Sequence, residues 1–136
     1  MRKLKTYIVE DSQVIQESLI ATLEELAPVR VVGTAESEGA ATQWLTNASQ
    51  PVDLVIVDIF LKSGSGLGLL RSLQTLLGQR IVVVLSNYAT TDIRRKCLEL
   101  GADRVFDKSK EIDALLDYCN ALRKGDADLA KMVVAV

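Results

Sequence analysis

Residues 53–58 read DLVIVD, a short apolar run with an aspartate at each end. The run is too short for an ordinary helix, and its β-branched residues and leucine favour a strand that is buried on both faces. We predict a strand over Asp53–Val57, with Asp58 directly after it. Strands of this composition are typical of parallel sheets that helices cover on both sides.

Similar strand-like runs alternate with helical patterns on either side of this segment. The alternation predicts about five βαβ-type units and therefore one α/β domain with a parallel sheet. The predicted strands are Leu4–Val9, Val29–Ala35, Asp53–Val57, Arg80–Leu85 and Arg104–Phe106. The predicted helices cover residues 12–27, 38–47, 67–77 and 91–100, and a last one runs from about Ile112 to near Gly125.

The first predicted helix shows how its ends and its buried face are inferred. Ser12 is a suitable N-cap, and Pro28 follows the helix end. The apolar stripe that should face the sheet consists of Ile15, Leu19, Leu23 and Leu26.

Two cysteines, a tryptophan and a basic run on the other predicted helices allow further predictions. Cys97 and Cys119 fall on apolar stripes, which predicts buried, reduced thiols. Trp44 is interpreted as core packing, and the basic run Arg94–Lys96 as a solvated helix face.

Composition restricts the class of protein. The chain has 136 residues, 49% of them hydrophobic and 25% charged, which predicts one soluble globular domain. The apolar runs are too short to cross a bilayer, and no cleavable apolar segment opens the chain, so we expect a cytoplasmic protein without a membrane partner. A net charge of −2 disfavours binding to a nucleic-acid backbone.

Chemically reactive side chains stand at the ends of four predicted strands. Ligands of open parallel sheets bind outside the carboxyl ends of the strands, so these side chains should share one site. They are Glu10, Asp11, Asp58, Ser86 and Lys108.

Three carboxylates in one place require compensating positive charge. Two unit charges about 4 Å apart repel by about 4 kcal/mol at an effective dielectric near 20. A hard cation such as Mg²⁺, together with Lys108, would supply the compensation. Asp58 could then attack phosphorus as a carboxylate nucleophile while Lys108 and Ser86 stabilise the transferred group.

The motifs around these residues resemble those of the response-regulator receiver domains of two-component signalling. The similarity covers nearly the whole chain, to about Lys124, and lies in Ile8–Ser12, in Leu54–Asp58 with Gly66, in Val82–Ser86, and in Gly101–Asp103 through to Lys108. The resemblance implies a flavodoxin-like, doubly wound sheet of five parallel strands in the order 2-1-3-4-5. It also implies a stand-alone receiver domain over residues 1–124 and a short tail over 125–136.

By the same resemblance, Asp58 would be the phospho-acceptor. Asp11 would bind Mg²⁺ directly, Glu10 through water, and the Phe60 backbone carbonyl would be a further ligand alongside Asp58. Ser86 and Lys108 would bind the phosphoryl group.

The resemblance also implies partners. The phosphoryl donor would be a sensor histidine kinase or a histidine phosphotransfer protein, and the output would be contact with an unknown downstream protein. A homodimer would use the face formed by the fourth helix, the fifth strand and the last helix. The chain would catalyse only its own phosphoryl transfer and slow autodephosphorylation, and so would not be an enzyme.

Several positions depart from the family pattern. Val105 stands where an aromatic switch residue is frequent, and Phe106 should point to the opposite face of its strand. Lys62 replaces a frequent proline, and Asn87 a small residue that usually follows the hydroxyl residue.

Two other functions remain open at this point. A phosphorylation-independent pseudo-receiver could use the fold as a protein-binding scaffold, and Val105 and Asn87 favour it. A Mg²⁺-dependent phosphohydrolase would need an acid two residues after its aspartate nucleophile, where this chain has Phe60.

Overall fold

The computed structural model describes residues 3–47, 51–76 and 80–123, in which five strands alternate with five helices. The strands are β1 (Leu4–Val9), β2 (Val29–Ala35), β3 (Leu54–Asp58), β4 (Ile81–Ser86) and β5 (Arg104–Asp107). The helices are α1 (Gln13–Leu26), α2 (Glu38–Asn47), α3 (Gly66–Leu76), α4 (Thr91–Glu99) and α5 (Ile112–Arg123).

The strands form one sheet in the order β2-β1-β3-β4-β5, and each neighbouring pair is parallel. This confirms the predicted flavodoxin-like, doubly wound topology. Since all strands run the same way, their carboxyl ends lie along a single edge of the sheet, and the reversal of strand order beside β1 opens a crevice there.

Three strand ends lie one residue beyond the prediction. Asp58 pairs with Leu85, and Ser86 pairs with Asp107, so the parallel ladder continues into the polar residues. The polar side chains of β3, β4 and β5 are therefore held by strand backbone rather than by a loose loop. The predicted helix end at Leu77, the predictions for residues 124–136 and the domain boundary at 124 lie outside the described residues.

The sheet separates two apolar layers, because successive strand residues point to opposite faces. Val55 and Val57 pack with α2, α3 and α4, whereas Leu54 and Ile56 pack with α1 and α5. Cys97 lies in the first layer and Cys119 in the second, and both are buried free thiols, as predicted.

The predicted stripe of α1 is partly wrong. Leu19 and Leu23 are buried, but Ile15 and Leu26 are exposed by 39% and 58%. Gln16 faces the sheet instead, because its side-chain amide donates to the backbone carbonyl of Glu10 at 3.1 Å. The helix is therefore oriented by a polar contact next to the acidic pair, Glu10 and Asp11.

Trp44 packs in the core, as predicted. Its ring stacks on Tyr7 with the ring centroids 4.3 Å apart. Gly33 provides the space, since a Cβ at that position would lie 2.9 Å from the Tyr7 ring. Within the described parts of the chain, no helix is long and apolar enough to cross a membrane.

Candidate functional site

Three predicted carboxylates meet at the carboxyl edge of the sheet. Glu10 and Asp11 follow β1, and Asp58 is the last residue of the neighbouring strand β3. One oxygen from each carboxylate lies within 4.8 Å of those of the other two. The structure thus brings Asp58 next to two carboxylates that stand 47 and 48 positions before it in the sequence.

Lys108 lies against this acidic cluster. Its ammonium nitrogen is 2.9 Å from Oδ2 of Asp58 and also forms an ion pair with Oε1 of Glu10. All three side chains are almost fully buried. The backbone N–H of Lys108 donates to the Ser86 carbonyl at 3.0 Å, which fixes the residue beside β4.

Burial and charge act in opposite directions on these groups. Burial raises the pKa of Glu10, while hydrogen bonds from Lys108 and Ser12 act to lower it. Burial acts to lower the pKa of Lys108, but its hydrogen bonds to Glu10 and Asp58 outweigh burial, and the pKa is raised. Lys108 is therefore an ammonium at neutral pH.

Each carboxylate is also oriented by a backbone N–H group. Oε2 of Glu10 accepts from Ser12 at 3.0 Å, and Oδ1 of Asp58 accepts from Phe60 at 3.0 Å. Oδ2 of Asp11 accepts from the backbone of Lys62 at 2.7 Å. These bonds hold the carboxylates in place and reduce the reorganisation needed on binding.

The donor set fits a hard divalent cation. Three carboxylates against the single ammonium of Lys108 leave two negative charges in excess. Mg²⁺ prefers oxygen ligands and commonly binds one or two carboxylates together with phosphate oxygens and water. Glu10, Asp11 and Asp58 are thus suited to hold a divalent cation such as Mg²⁺.

Ser86 occupies the same edge of the sheet. It follows Leu85, the strand partner of Asp58, and is fully buried. Its hydroxyl oxygen accepts from the Tyr88 N–H at 3.0 Å, which orients the side chain and leaves the hydroxyl proton to be donated elsewhere.

Two exposed aromatic rings flank the site. Phe60 and Tyr88 are in edge-to-face contact, with ring centroids 5.6 Å apart. Phe60, Asp11 and Lys62 also line an open cavity of about 400 Å³ that extends to Ile93 of α4. The rings lie on the loops that follow Asp58 and Ser86, and so border the approach to the acidic cluster.

Val105, which stands where an aromatic switch residue is frequent in the family, and the adjacent Phe106 lie on opposite faces of the sheet. Val105 is buried in the layer shared with α4, whereas Phe106 lies on the other face and contacts Tyr118. Phe106 therefore does not replace the aromatic residue that is missing at 105, as expected from strand alternation.

Sequence reasoning missed two residues that support the loop after Asp58 and the acidic pair. Oε1 of Glu38 accepts from the Ser65 N–H at 2.7 Å and so holds that loop to α2. Gln16 holds the Glu10 backbone, as described above. A polar residue on the apolar side of α1 was the available signal for Gln16, whereas no local pattern marks Glu38.

The interpretation of Arg94 as part of a solvated face is wrong. Its guanidinium donates to the backbone carbonyls of Ala89 and Val105 and pairs with Glu111. Arg95, in contrast, pairs with Asp92 of the same helix and is exposed as predicted. Arg94 thus connects three separate segments next to the site.

Comparison with protein families and curated proteins gives a consistent result. The model of the response regulator receiver domain family matches residues 6–120. The transcriptional regulatory protein AruR of Pseudomonas aeruginosa is 36% identical over 100 residues, which cover 73% of this chain and 41% of AruR. A cyclic di-GMP phosphodiesterase of Thermotoga maritima is 30% identical over 117 residues, covering 85% of this chain and 30% of that protein. The chain thus spans less than half the length of these two relatives.

Solved structures match over most of the chain. The isolated REC domain of RcsB from Salmonella enterica serovar Typhimurium, determined with the phosphomimetic BeF₃⁻, has a TM-score of 0.78, with 22% identity and 90% coverage of both chains. A two-component response regulator of the LuxR family from Aurantimonas sp. has a TM-score of 0.80, with 20% identity and coverage of 98% of this chain and 96% of its own. At 20–22% sequence identity, the structural similarity to these two proteins supports the fold alone.

Proposed function

This chain belongs to the response regulator receiver domain family, and we propose that its Asp58 accepts a phosphoryl group from a phosphohistidine donor in the presence of Mg²⁺. One observation carries the proposal. The Lys108 ammonium lies 2.9 Å from an oxygen of Asp58, inside a cluster of three carboxylates. Phosphoryl transfer requires a nucleophile, a cation and a fixed positive charge close together, and this cluster of carboxylates beside an ammonium supports the proposal.

The proposed metal ligands are carboxylates of the acidic cluster and one backbone oxygen. Asp11 and Asp58 would bind Mg²⁺ directly, Glu10 through water, and the Phe60 carbonyl would complete the protein ligands. When bound, the ion neutralises charge on the transferring group. The protein's own part is to keep these oxygens oriented, through the N–H groups of Ser12, Phe60 and Lys62.

The transfer step exchanges one bond to phosphorus for another. A carboxylate oxygen of Asp58 forms the new bond, and the bond from phosphorus to the donor's imidazole nitrogen breaks. The electron pair of the broken bond stays on the imidazole, and the product is an acyl phosphate. Lys108 then shifts its ion pair from the Asp58 carboxylate to the phosphoryl oxygens, and the Ser86 hydroxyl donates to another of them.

The surface beside Lys108 supports approach by a protein donor. A groove of about 310 Å³ between α1 and α5 is lined by Lys108, Ile15 and Val14, and Val14 is 76% exposed. We propose that a sensor histidine kinase or a histidine phosphotransfer protein binds there. The free thiols of Cys97 and Cys119 fit action in the reducing cytoplasm.

We propose that the phosphorylated form signals through a changed protein contact with an unidentified downstream partner. The candidate output and homodimer surface is the face of α4, β5 and α5. Leu98 on α4 is 48% exposed and supplies apolar area for such a contact.

The decisive experiment is phosphorylation with acetyl phosphate and Mg²⁺, followed by intact mass measurement. We expect one added phosphoryl group in the unaltered protein and none in Asp58→Asn. Asp53→Asn, next to the opposite end of β3, is the matched control and should be phosphorylated.

Other outcomes identify the alternative functions. Absence of the adduct in the unaltered protein would overturn the proposal and favour a phosphorylation-independent scaffold. Steady turnover of small phosphate esters would instead indicate a phosphohydrolase. The exposed ring of Phe60 occupies the position where a phosphohydrolase of this kind needs an acid, which disfavours that function.

A further inference from the structure

Arg94 links two segments that lie next to the proposed phosphoryl-binding side chains, Ser86 and Lys108. Its Nε donates to the Ala89 carbonyl at 2.9 Å, and its Nη1 donates to the Val105 carbonyl at 3.0 Å. Ala89 lies three residues after Ser86, and Val105 three residues before Lys108. One guanidinium on α4 therefore joins the loop after Ser86 to strand β5.

The third contact of Arg94 reaches the turn that contains Lys108. Nη2 of Arg94 lies 2.5 Å from Oε1 of Glu111, and the same oxygen accepts from the Asp107 N–H at 2.9 Å. The Glu111 N–H donates back to the Asp107 carbonyl at 2.9 Å. Residues 107–111 thus form a closed turn, and the position of Lys108 within it depends on Glu111.

The chemistry of this contact suits a positioning role. An arginine offers several donors in a rigid plane, so it can fix three acceptors from three segments at once. Arg94 and Glu111 are each only about one-third exposed, whereas Arg95 and Asp92 are exposed by 65% and 86%. A partly shielded, multiply bonded pair constrains its neighbours more than a surface pair does.

We propose that Arg94 is a positioning residue that holds the Lys108 turn and the loop after Ser86 as one unit and transmits a change at Asp58 to α4. This inference rests on the proposed function. It assigns the coupling between Asp58 and α4 to Arg94. In this chain the frequent aromatic switch position, 105, holds a valine, and Phe106 lies on the other face of the sheet.

The first arm of the test needs no phosphorylation. Amide hydrogen exchange is measured in Arg94→Ala, with Arg95→Ala as the matched control on the same helix. Loss of the charged hydrogen bonds should speed exchange of the Asp107 and Lys108 amides about tenfold in Arg94→Ala, without a comparable change in Arg95→Ala. Equal exchange in the two variants would overturn the inference.

The second arm adds acetyl phosphate and Mg²⁺, with adduct formation followed by intact mass. In the unaltered protein and in Arg95→Ala, phosphorylation should change exchange both around Lys108 and in α4. In Arg94→Ala the adduct should form, while the change in α4 disappears. An undiminished change in α4 of that variant would overturn the inference.

The two arms separate this inference from the proposed function. Lack of adduct in the unaltered protein would refute phosphoryl acceptance, while the first arm still reports on the structural link.

If Arg94→Ala does not fold, Glu111→Gln provides the same test, because the amide keeps the side-chain shape and removes its charge. Exchange of the Lys108 amide should again be faster than in Arg95→Ala, and an unchanged rate would contradict the link.

Discussion

The ammonium nitrogen of Lys108 lies 2.9 Å from Oδ2 of Asp58, although 50 positions separate the two residues in the sequence. Lys108 occupies this place because β5 lies beside β4, and because its backbone N–H is bonded to the Ser86 carbonyl. The contact gives Asp58 a cationic neighbour without any bound ligand.

Replacing Lys108 should separate metal binding from phosphoryl transfer. In Lys108→Met the excess negative charge of the cluster rises, so Mg²⁺ affinity in calorimetric titration should not fall. The rate of adduct formation from acetyl phosphate should fall about tenfold or more, because a charge that stabilises the transferring group is lost. Lys110→Met, an exposed lysine of the same turn, is the control. Loss of Mg²⁺ binding in Lys108→Met would contradict this division of roles.

A methyl group at Gly66 should disrupt the site through the backbone. A Cβ there would lie 2.3 Å from Cα of Ile59 and 2.5 Å from the Asp58 carbonyl oxygen. Since backbone must move to relieve this contact, Gly66→Ala should lower the free energy of unfolding in urea by about 3 kcal/mol and reduce phosphorylation. Gly39→Ala is the control, because a Cβ at position 39 would meet no atom within 4 Å. Gly39 lies in α2, where alanine should raise the free energy of unfolding by about 0.5–1 kcal/mol. Equal stability of the two variants would refute the steric argument.

Lys62 contributes a backbone donor that proline would lack. Its N–H donates to Oδ2 of Asp11 and so holds that carboxylate in the orientation proposed for metal binding. Lys62→Pro should bind Mg²⁺ about fivefold more weakly than Lys62→Ala, which keeps the N–H, because a typical hydrogen bond contributes about 1 kcal/mol. Calorimetric titration measures the difference, and tighter binding in the proline variant would show that the bond competes with the metal for Oδ2.

The aromatic pair at the mouth of the site should slow hydrolysis of the acyl phosphate. Phe60→Ala removes the edge-to-face contact with Tyr88 and opens the approach of water, and we expect dephosphorylation about fivefold faster, as a contact of about 1 kcal/mol implies. Asn87→Ala, on the exposed loop after Ser86, should act in the same direction. The control, Tyr88→Phe, keeps both rings. The rates are measured as loss of phosphorylated mass after removal of acetyl phosphate, and unchanged rates in both alanine variants would count against this role.

The ion pair between Arg94 and Glu111 should contribute stability that depends on pH. The hydrogen bond from Arg94 holds the pKa of Glu111 below its ordinary value of 4.5. A lowered pKa in the folded state means that the contribution is present above pH 4.5 and is lost as the pH falls through the folded-state pKa.

Arg94→Ala should therefore lower the free energy of unfolding by about 1 kcal/mol at pH 7, a figure that allows for partial exposure of the pair. The difference from the unaltered protein should narrow at pH values below 4.5. Urea unfolding at several pH values checks this, with Arg95→Ala as the control. If the loss of unfolding free energy in Arg94→Ala does not change with pH, the stability comes from the hydrogen bonds of Arg94 to the Ala89 and Val105 carbonyls rather than from the ion pair with Glu111.

Much of the fold and of the site could be predicted because both follow from local patterns. Runs of Val, Ile and Leu predicted the strands, and parallel pairing then required that Glu10, Asp11, Asp58, Ser86 and Lys108 share one edge. The role of Arg94 could not be predicted, since two of its acceptors are backbone carbonyls and its third, Glu111, is 17 positions away. The face of α1 was assigned from hydrophobicity alone, which cannot detect that Gln16 is buried by a hydrogen bond to Glu10.

The ion pair between Glu10 and Lys108 joins residues 98 positions apart. As a ribosome makes the chain from its amino end, all three carboxylates exist for some time before the lysine that compensates them has been synthesised. A nascent chain that ends before β5 therefore has the acidic groups but neither the ammonium nor the strand that holds it in place. The proposed phosphoryl transfer would thus reach its full rate only in molecules whose synthesis has passed Lys108 and whose last strand has joined the sheet.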